Sequence, residues 1–241
     1  MKLAIHQPHY FPYPGFFHKL ALCDAFVIMD ATQYDRRFTN RNRILDPHGE
    51  VWLTVPIEKS GKFMPNREVR VNNSIPWRED HWKKLLVSYA NAQHFDDYAS
   101  ELRKFYEKDW TFLFDLDLET TKKALEWLGM KLPILLESDL DVRSTGTQRL
   151  VDICEAVGAD VYVSGSGGRD YMDESLFHRR GIGLEHQQYS PLPYTQRFSG
   201  PFVPDLSILD MLFNIGPGSS VFIGTQRKGP MSLATATVPA L

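Results

Sequence analysis

Three histidines lie close together near the start of the chain, at positions 6, 9 and 18, among aromatic residues, prolines and one glycine. His6 and His9 follow a short apolar stretch typical of a β-strand, and Pro14-Gly15 and His18 open the helix that comes next. Backbone N–H groups at such a turn attract anionic oxygens, and an imidazole beside them can transfer a proton. We predict His6, His9 and His18 as catalytic residues; the alternative is a packed loop with incidental histidines. The same stretch supplies two predicted substrate-binding residues, Gln7 and Tyr10.

A second polar segment, Gln33–Arg43, follows the next apolar stretch and carries four arginines against one acidic residue. Guanidinium groups bind phosphate and carboxylate through paired hydrogen bonds, and amide side chains offer donors and acceptors to sugar hydroxyls or a base edge. The position of the segment, just after a buried strand, favours a nucleotide-phosphate site; a solvated surface run is the alternative. The predicted substrate-binding residues here are Asp30, Gln33, Arg37, Asn40, Arg41 and Arg43.

A third segment, Val161–Asp173, combines an apolar strand with the run Ser-Gly-Ser-Gly-Gly at positions 164–168. Glycines let the backbone approach a ligand closely, and consecutive amides can form an anion-binding nest. The glycine spacing fits neither the dinucleotide fingerprint nor the phosphate loop of nucleotide hydrolases, so no cofactor is predicted. A plain strand-to-helix turn is the alternative. The predicted substrate-binding residues are Ser164, Gly165, Gly167, Gly168 and Tyr171.

The order of apolar stretches predicts an α/β fold that would position these segments. Strands at Lys2–Ile5 and Ala25–Met29, with a helix near Gly15–Leu22 between them, form a βαβ unit with parallel pairing. We therefore predict a Rossmann-like, parallel-containing sheet, which presents ligand-binding loops at the carboxyl ends of its strands. Further strands are predicted at Pro133–Glu137, Asp160–Val163 and Gly183–His186, and helices at Thr147–Val157 and Leu206–Asn214.

The middle of the chain has a different pattern. Asn42–Leu45 and Val51–Ile57 flank the turn sequence Asp-Pro-His-Gly and predict a β-hairpin. Residues 58–76 indicate a loop with a short strand at Arg67–Val71. Apolar residues at three- and four-residue spacing from Arg78 to Leu128 predict three amphipathic helices. We predict a single α/β domain over residues 1–241, with a helical insert at about 78–130.

Composition narrows the class of protein. The net charge of −3 disfavours nucleic acid as a partner, because nucleic-acid binding usually needs a basic surplus. The two cysteines form no CxxC pair, which disfavours a structural zinc site and a disulfide framework; no metal site is predicted. No apolar run approaches the length of a membrane span, and no signal peptide is recognised, so we predict a cytoplasmic protein.

Five co-linear segments, which together cover nearly the full length, resemble the WbqC-like protein family. They are AIHQPHYFPYPGFFHKLALCDAFVIMDATQY, FTNRNRILDPHGEVWLTVPI, HWKKLLVSYANAQHFDDY, STGTQRLVDICEAVGADVYVSGSGGRDYMD and LSILDMLFN. The family is associated with bacterial surface-polysaccharide and O-antigen gene clusters. The resemblance therefore implies a role in making or decorating sugars, often amino sugars carried on nucleotides.

The order of strand, histidine-rich turn and helix also resembles the nucleotidylyl-transferase (HUP) superfamily, although its H-x-G-H motif is absent. This second resemblance bears on the fold more than on the reaction.

The combined interpretation is a transferase that acts on a nucleotide-linked amino sugar, with acyl or aminoacyl transfer from a carrier-bound donor to the sugar amine. The histidines would act as general base and transition-state donors, the arginines would hold the diphosphate, and the serine–glycine loop would supply amides to the reacting carbonyl. Two alternatives are a nucleotidylyl transferase that uses the N-terminal histidines and a non-catalytic nucleotide-sugar-binding protein. Each requires the three segments to share one cavity.

Overall fold

A computed structural model of the chain describes residues 1–165, 167–168, 172–198 and 200–224. The strands in these residues are β1 (Lys2–His6), β2 (Ala25–Ile28), β3 (Arg41–Asp46), β4 (Gly49–Thr54), β5 (Ile134–Leu136), β6 (Val161–Ser164) and β7 (Gly183–His186). The helices are α1 (Pro14–Ala21), α2 (Trp77–Tyr89), α3 (Phe95–Glu107), α4 (Leu113–Trp127), α5 (Gly146–Val157), α6 (Glu174–Arg179), α7 (Ile208–Ile215) and α8 (Ser219–Ile223). The predicted α/β order is confirmed.

Five of the strands form a parallel sheet in the order β5–β2–β1–β6–β7. β1 is central: its Ala4 lies beside Phe26 of β2 on one side and Val163 of β6 on the other. From β1 the chain adds β2 and then β5 on one side of the sheet. It then adds β6 and β7 on the other side of β1. Rossmann-like sheets have this order, and they bind ligands at the carboxyl ends of the strands where the order reverses. Here the reversal lies between β1 and β6.

Each face of the sheet is covered by its own apolar core, as the alternation of side chains along a strand requires. Ala4 of β1 packs in the core that contains Leu20 of α1 and the helices of the insert. Ile5, the next residue, packs in the other core, with Ile153 of α5 and Phe177 of α6. The carboxyl end of β1 therefore opens between a layer that contains α1 and a layer that contains α5.

The insert and the hairpin follow their predictions, and the loop predicted at residues 58–76 contains two 3-10 turns. The three insert helices α2, α3 and α4 are present, and β3 pairs antiparallel with β4. The short strand predicted at Arg67–Val71 is reduced to isolated antiparallel bridges of Arg70 with Phe112 and of Val71 with Ile57, because residues 66–68 form a 3-10 turn. The Asn66 and Arg67 amides donate to the carbonyls of Thr32 and Asp30 instead of to a strand ladder.

Helix α8 was not predicted, since the sequence after Gly216 is rich in small residues. Within the described ranges, no helix combines the length and the apolar character that crossing a membrane requires.

Candidate functional site

An open cleft of about 780 Å³ lies at the carboxyl ends of β1 and β6. Its lining comes from the turn between β1 and α1, from the arginine-containing segment, from the serine–glycine loop and from the start of α5. Eight residues predicted from sequence to act at a site line it: His6, Gln7, His9, Arg37, Ser164, Gly165, Gly167 and Gly168.

Backbone contacts fix the turn that carries His6 and His9. The Tyr10 amide donates to the Phe38 carbonyl at 3.1 Å, which holds residues 35–39 over the turn. Phe11 has a φ of +38°, which non-glycine residues adopt only when their surroundings impose it. Its carbonyl accepts hydrogen bonds from Asn42 Nδ2 at 2.7 Å and Ser207 Oγ at 3.1 Å. The turn is therefore held from two separate parts of the chain, the segment Gln33–Arg43 and Ser207.

The two cleft histidines are half-buried and pack edge to face, with ring centroids 4.6 Å apart. His6 Nδ1 lies 2.9 Å from the Gln7 carbonyl, so a neutral His6 carries its proton on Nδ1 and a lone pair on Nε2. Burial, and then the charge of Lys19, holds the pKa of His6 well below its usual value and lowers the pKa of His9 to about 3. Both rings are therefore neutral near pH 7.

Lys19 of α1 also lines the cleft, and the sequence analysis did not select it. Its side chain is only 3% exposed, and its Nζ donates to the Ile5 carbonyl at 3.1 Å. Burial lowers the pKa of Lys19 to about 7. The sequence feature that could have indicated its burial is the spacing of three residues between Phe16 and Lys19, which places Lys19 on the apolar face of the helix.

Arg149 of α5 is a second lining residue that the sequence analysis missed. Its guanidinium pairs with Glu137, a buried carboxylate just after β5. The next amide, that of Ser138, donates to the Asp30 carboxylate at 2.9 Å. Asp30, predicted to bind substrate, is thus 1% exposed and instead holds the turn that supports Arg149.

The serine–glycine loop closes tightly on itself beside β6. Ser164 is buried, and its hydroxyl donates to the Gly165 carbonyl at 3.1 Å. A Cβ on Gly168 would lie 2.0 Å from Ser164 Oγ, so a side chain at position 168 would displace the serine. Tyr171, also predicted to bind substrate, lies outside the described residues.

His18 is not brought together with His6 and His9. It lies in the last turn of α1 and not at its start, because the helix already begins at Pro14. Gln187 Nε2 donates to His18 Nδ1 at 3.0 Å, and the His18 ring lies 5.4 Å from the ring of Tyr189. It borders a separate, smaller cavity of about 460 Å³.

Tyr10 points away from the cleft into the core. Its hydroxyl lies 2.6 Å from the Tyr106 hydroxyl and 3.1 Å from His81 Nδ1. All three side chains are buried. The contacts of Tyr10 are therefore those of a core residue.

Most of the arginine-containing segment also lies outside the cleft. Arg41 stacks on the ring of Trp52 at 4.3 Å, and Arg43 pairs with Glu50 on the neighbouring strand. Both amide atoms of Asn40 are hydrogen-bonded within the fold. Because the segment continues into a β-hairpin, these side chains contact the hairpin and its neighbours. Within Gln33–Arg43, the predicted residues that do not line the cleft are Gln33, Asn40, Arg41 and Arg43; Asp30, just before this segment, does not line it either.

The lining of the cleft is cationic. Lys19, Arg37 and Arg149 face it with one carboxylate, Asp35, which pairs with Arg37 at 3.4 Å. No group of three or more metal-ligating side chains occurs among the described residues. The fold and the site thus define a Rossmann-like α/β protein with a cationic, histidine-containing cleft at its switch point.

Comparison with known proteins places the chain in a family. Residues 7–221 match the WbqC-like protein family, to which the chain belongs. It is also similar to the uncharacterized protein Rv1507c of Mycobacterium tuberculosis, with 34% identity over 229 residues that cover 94% of this chain and 99% of the relative. No solved structure matches it.

Proposed function

We propose that this chain is a transferase that passes an acyl or aminoacyl group from a carrier-bound donor to the amine of a nucleotide-linked sugar. The observation that carries the proposal is the single cleft at the β1–β6 switch point. It collects two neutral histidines, cationic side chains and a serine–glycine loop. The cationic lining suits the diphosphate of a nucleotide-sugar, and the sugar class follows from the association that the family resemblance implies.

His6 is the proposed general base. Its Nδ1 hydrogen faces the Gln7 carbonyl, which leaves the Nε2 lone pair available. In the proposed step the sugar nitrogen attacks the carbonyl carbon of the donor, a C–N bond forms, and the bond between that carbon and the carrier breaks. The proton passes from the nitrogen to His6 Nε2 and then to the departing oxygen or sulfur of the carrier.

The remaining lining residues have supporting roles in this proposal. Arg37, whose side chain is 83% exposed at the rim, would attract the incoming diphosphate. The backbone amides of Gly165 and Gly167 would donate to the oxygen of the tetrahedral intermediate, whereas the Gly168 amide donates to the Gly165 carbonyl and holds the loop. Ser164 would support that loop, since its hydroxyl is bonded to the Gly165 carbonyl.

The test has two stages on the full chain. A thermal-shift screen of nucleoside diphosphates and nucleotide-sugars identifies what binds, because a ligand of the folded state raises the melting temperature. The amino-sugar form of the best ligand is then incubated with acyl- and aminoacyl-carrier donors, and mass spectrometry detects the N-acylated product. We expect His6→Asn to lower turnover about 10²–10⁴-fold and to retain nucleotide-sugar binding.

His48→Asn, at the exposed tip of the hairpin, is the matched control and should keep wild-type turnover. If a nucleotide-sugar binds the wild-type chain and no donor yields product, the chain is a binding protein and the transferase proposal fails. If no nucleotide-sugar binds, the substrate class fails as well.

Nucleotidylyl transfer is the second candidate, favoured by the contact between the His6 and His9 rings directly after β1. Such an enzyme would act on the α-phosphate of a nucleoside triphosphate and release pyrophosphate. Incubation with nucleoside triphosphate, sugar phosphate and a divalent metal, followed by a pyrophosphate assay, separates it from acyl transfer.

A further inference from the structure

Among the described residues, the buried Lys19 ammonium has no anionic partner. Its side chain is 3% exposed, and among the described residues its Nζ has one hydrogen-bond acceptor, the Ile5 carbonyl, and no paired carboxylate. An ammonium offers three donors, and burial of an unpaired charge is costly. Because Lys19 lines the cleft, a ligand there could supply the missing acceptors.

The groups that face Lys19 do not neutralise it. His6 and His9 lie on the side of β1, and the pKa of each is lowered by burial and then by the Lys19 charge. Cys23 lies on the other side, and burial raises the pKa of its thiol to about 12, so it is uncharged near pH 7.

Two guanidinium groups, those of Arg37 and Arg149, also line the cleft. Each has its own carboxylate partner: Arg37 pairs with Asp35, and Arg149 pairs with Glu137. Lys19 is therefore the cation of this lining that lacks a counter-ion among the described residues.

We propose, taking the cleft as the substrate site of the proposed transferase, that Lys19 binds a dianionic oxoanion of the substrate, its phosphate or diphosphate, and that Arg149 contacts the same group from the other face of the sheet. Helices α1 and α5 cover opposite faces, and both residues meet the cleft at the carboxyl ends of the strands. The anion is thus assigned to the depth of the cleft and not to the arginine-rich hairpin.

Binding at this site takes up a proton. The bound anion raises the pKa of Lys19 from about 7, so the complex holds a proton that the free protein loses as the pH rises. The anion also offsets the Lys19 charge, which removes one of the causes that lower the pKa of His6 and His9. His6 becomes a stronger base when the anion is in place.

Inorganic sulfate is the decisive probe, because its charge does not change across the range and it needs no correct nucleoside. Its affinity for the full chain is measured by isothermal titration calorimetry between about pH 7 and 9. We expect the affinity to fall by up to tenfold per pH unit, the slope for one coupled proton. Lys19→Met should bind sulfate at least tenfold more weakly at pH 7, and its affinity should not depend on pH in this range. Arg149→Gln should bind more weakly and keep the slope.

Lys2→Met is the matched control, since Lys2 lies at the opposite end of β1 and pairs with Glu185. The sulfate affinity of this variant and the pH dependence of that affinity should equal those of the wild type.

The proposal is overturned if sulfate fails to bind the wild type, or if it binds Lys19→Met with the affinity and pH dependence of the wild type. Wild-type affinity in Arg149→Gln overturns its second part. Competition by UDP-glucose supports the assignment of the site to a substrate-borne diphosphate. Lack of competition, with sulfate binding that depends on Lys19, overturns that assignment and leaves a site for a free oxoanion. A sulfate result stands whether or not transfer is detected, so the two proposals fail separately.

Discussion

His9 and Tyr10 are neighbours in the sequence, and their side chains lie in contrasting surroundings. The Tyr10 hydroxyl is hydrogen-bonded inside the core to Tyr106 and His81. The His9 ring borders the open cleft, and its buried Nδ1 has no partner among the described residues. Lys19, close to His9, also lacks a counter-ion there.

A second core network reinforces the contrast. The buried Asp210 carboxylate accepts hydrogen bonds from the Tyr89 hydroxyl at 2.7 Å, the Tyr194 hydroxyl at 2.6 Å and Gln196 Nε2 at 3.0 Å. Buried polar groups in proteins usually have partners. The Tyr10 and Asp210 networks stabilise the fold, whereas His9 Nδ1 and the Lys19 ammonium of the cleft leave bonds that a substrate can make. The core also holds groups without a partner among the described residues, such as the Asp117 carboxylate, but only those of the cleft lie where a ligand can reach them.

The largest expected effect comes from breaking the core network. Asp210→Ala leaves three donors without their acceptor, and we expect it to lower the free energy of unfolding by about 3–5 kcal/mol. Urea denaturation measures the change. Asp141→Ala is the control, since the Asp141 side chain is 84% exposed and its loss should cost less than about 0.5 kcal/mol. Equal stability of the two variants would remove the distinction between the regions.

The next effect has the opposite sign and tests the cleft. Lys19→Met removes a buried ammonium that has no counter-ion among the described residues, so we expect the ligand-free chain to gain about 1–3 kcal/mol at pH 7. The pKa of Lys19 is about 7 in the folded chain and 10.5 in the reference state, so the unfolded chain binds more protons between these values. Wild-type stability should therefore rise from about pH 7 to 9, and this rise should be absent in the variant. A loss of stability in Lys19→Met would mean that the ammonium serves the fold.

The smallest expected effect comes from substitutions at the two neighbouring residues, His9 and Tyr10. Tyr10→Phe removes one hydroxyl from the core network and should cost about 1 kcal/mol. His9→Leu removes a side chain without a hydrogen-bond partner among the described residues and should change stability by less than about 0.5 kcal/mol. Both are measured by urea denaturation at pH 7. A larger cost at position 9 than at position 10 would reverse the assignment of the two surroundings.

The predictable part of the fold was the part with strong local signals. Short apolar runs alternating with amphipathic stretches predicted β1, α1, β2 and the later strands to within a few residues. The 3-10 turn at 66–68 was missed because the amides of Asn66 and Arg67 donate to Thr32 and Asp30, which are distant in the chain and which a local pattern does not register.

The candidate site was predictable only in outline. The loops that line the cleft were predicted from the positions of the strand ends, because the carboxyl ends of adjacent parallel strands lie at one edge of the sheet. Packing determines which side chains of those loops face the cleft. Tyr10 is hydrogen-bonded in the core, and Arg41 and Arg43 contact residues of the β-hairpin. Lys19 and Arg149 carried no motif, since isolated basic residues in helices are usually solvated.

The sequence by itself determined which segments become strands and helices, and that polar loops follow the central strands, because periodicity and turn residues act over a few neighbours. Only the tertiary structure decided that β6 lies beside β1, which helix covers each face, and that Lys19 is buried with no counter-ion among the described residues. Those features arise from contacts between residues far apart in the chain, such as Ala4 beside Val163, and no local pattern encodes them.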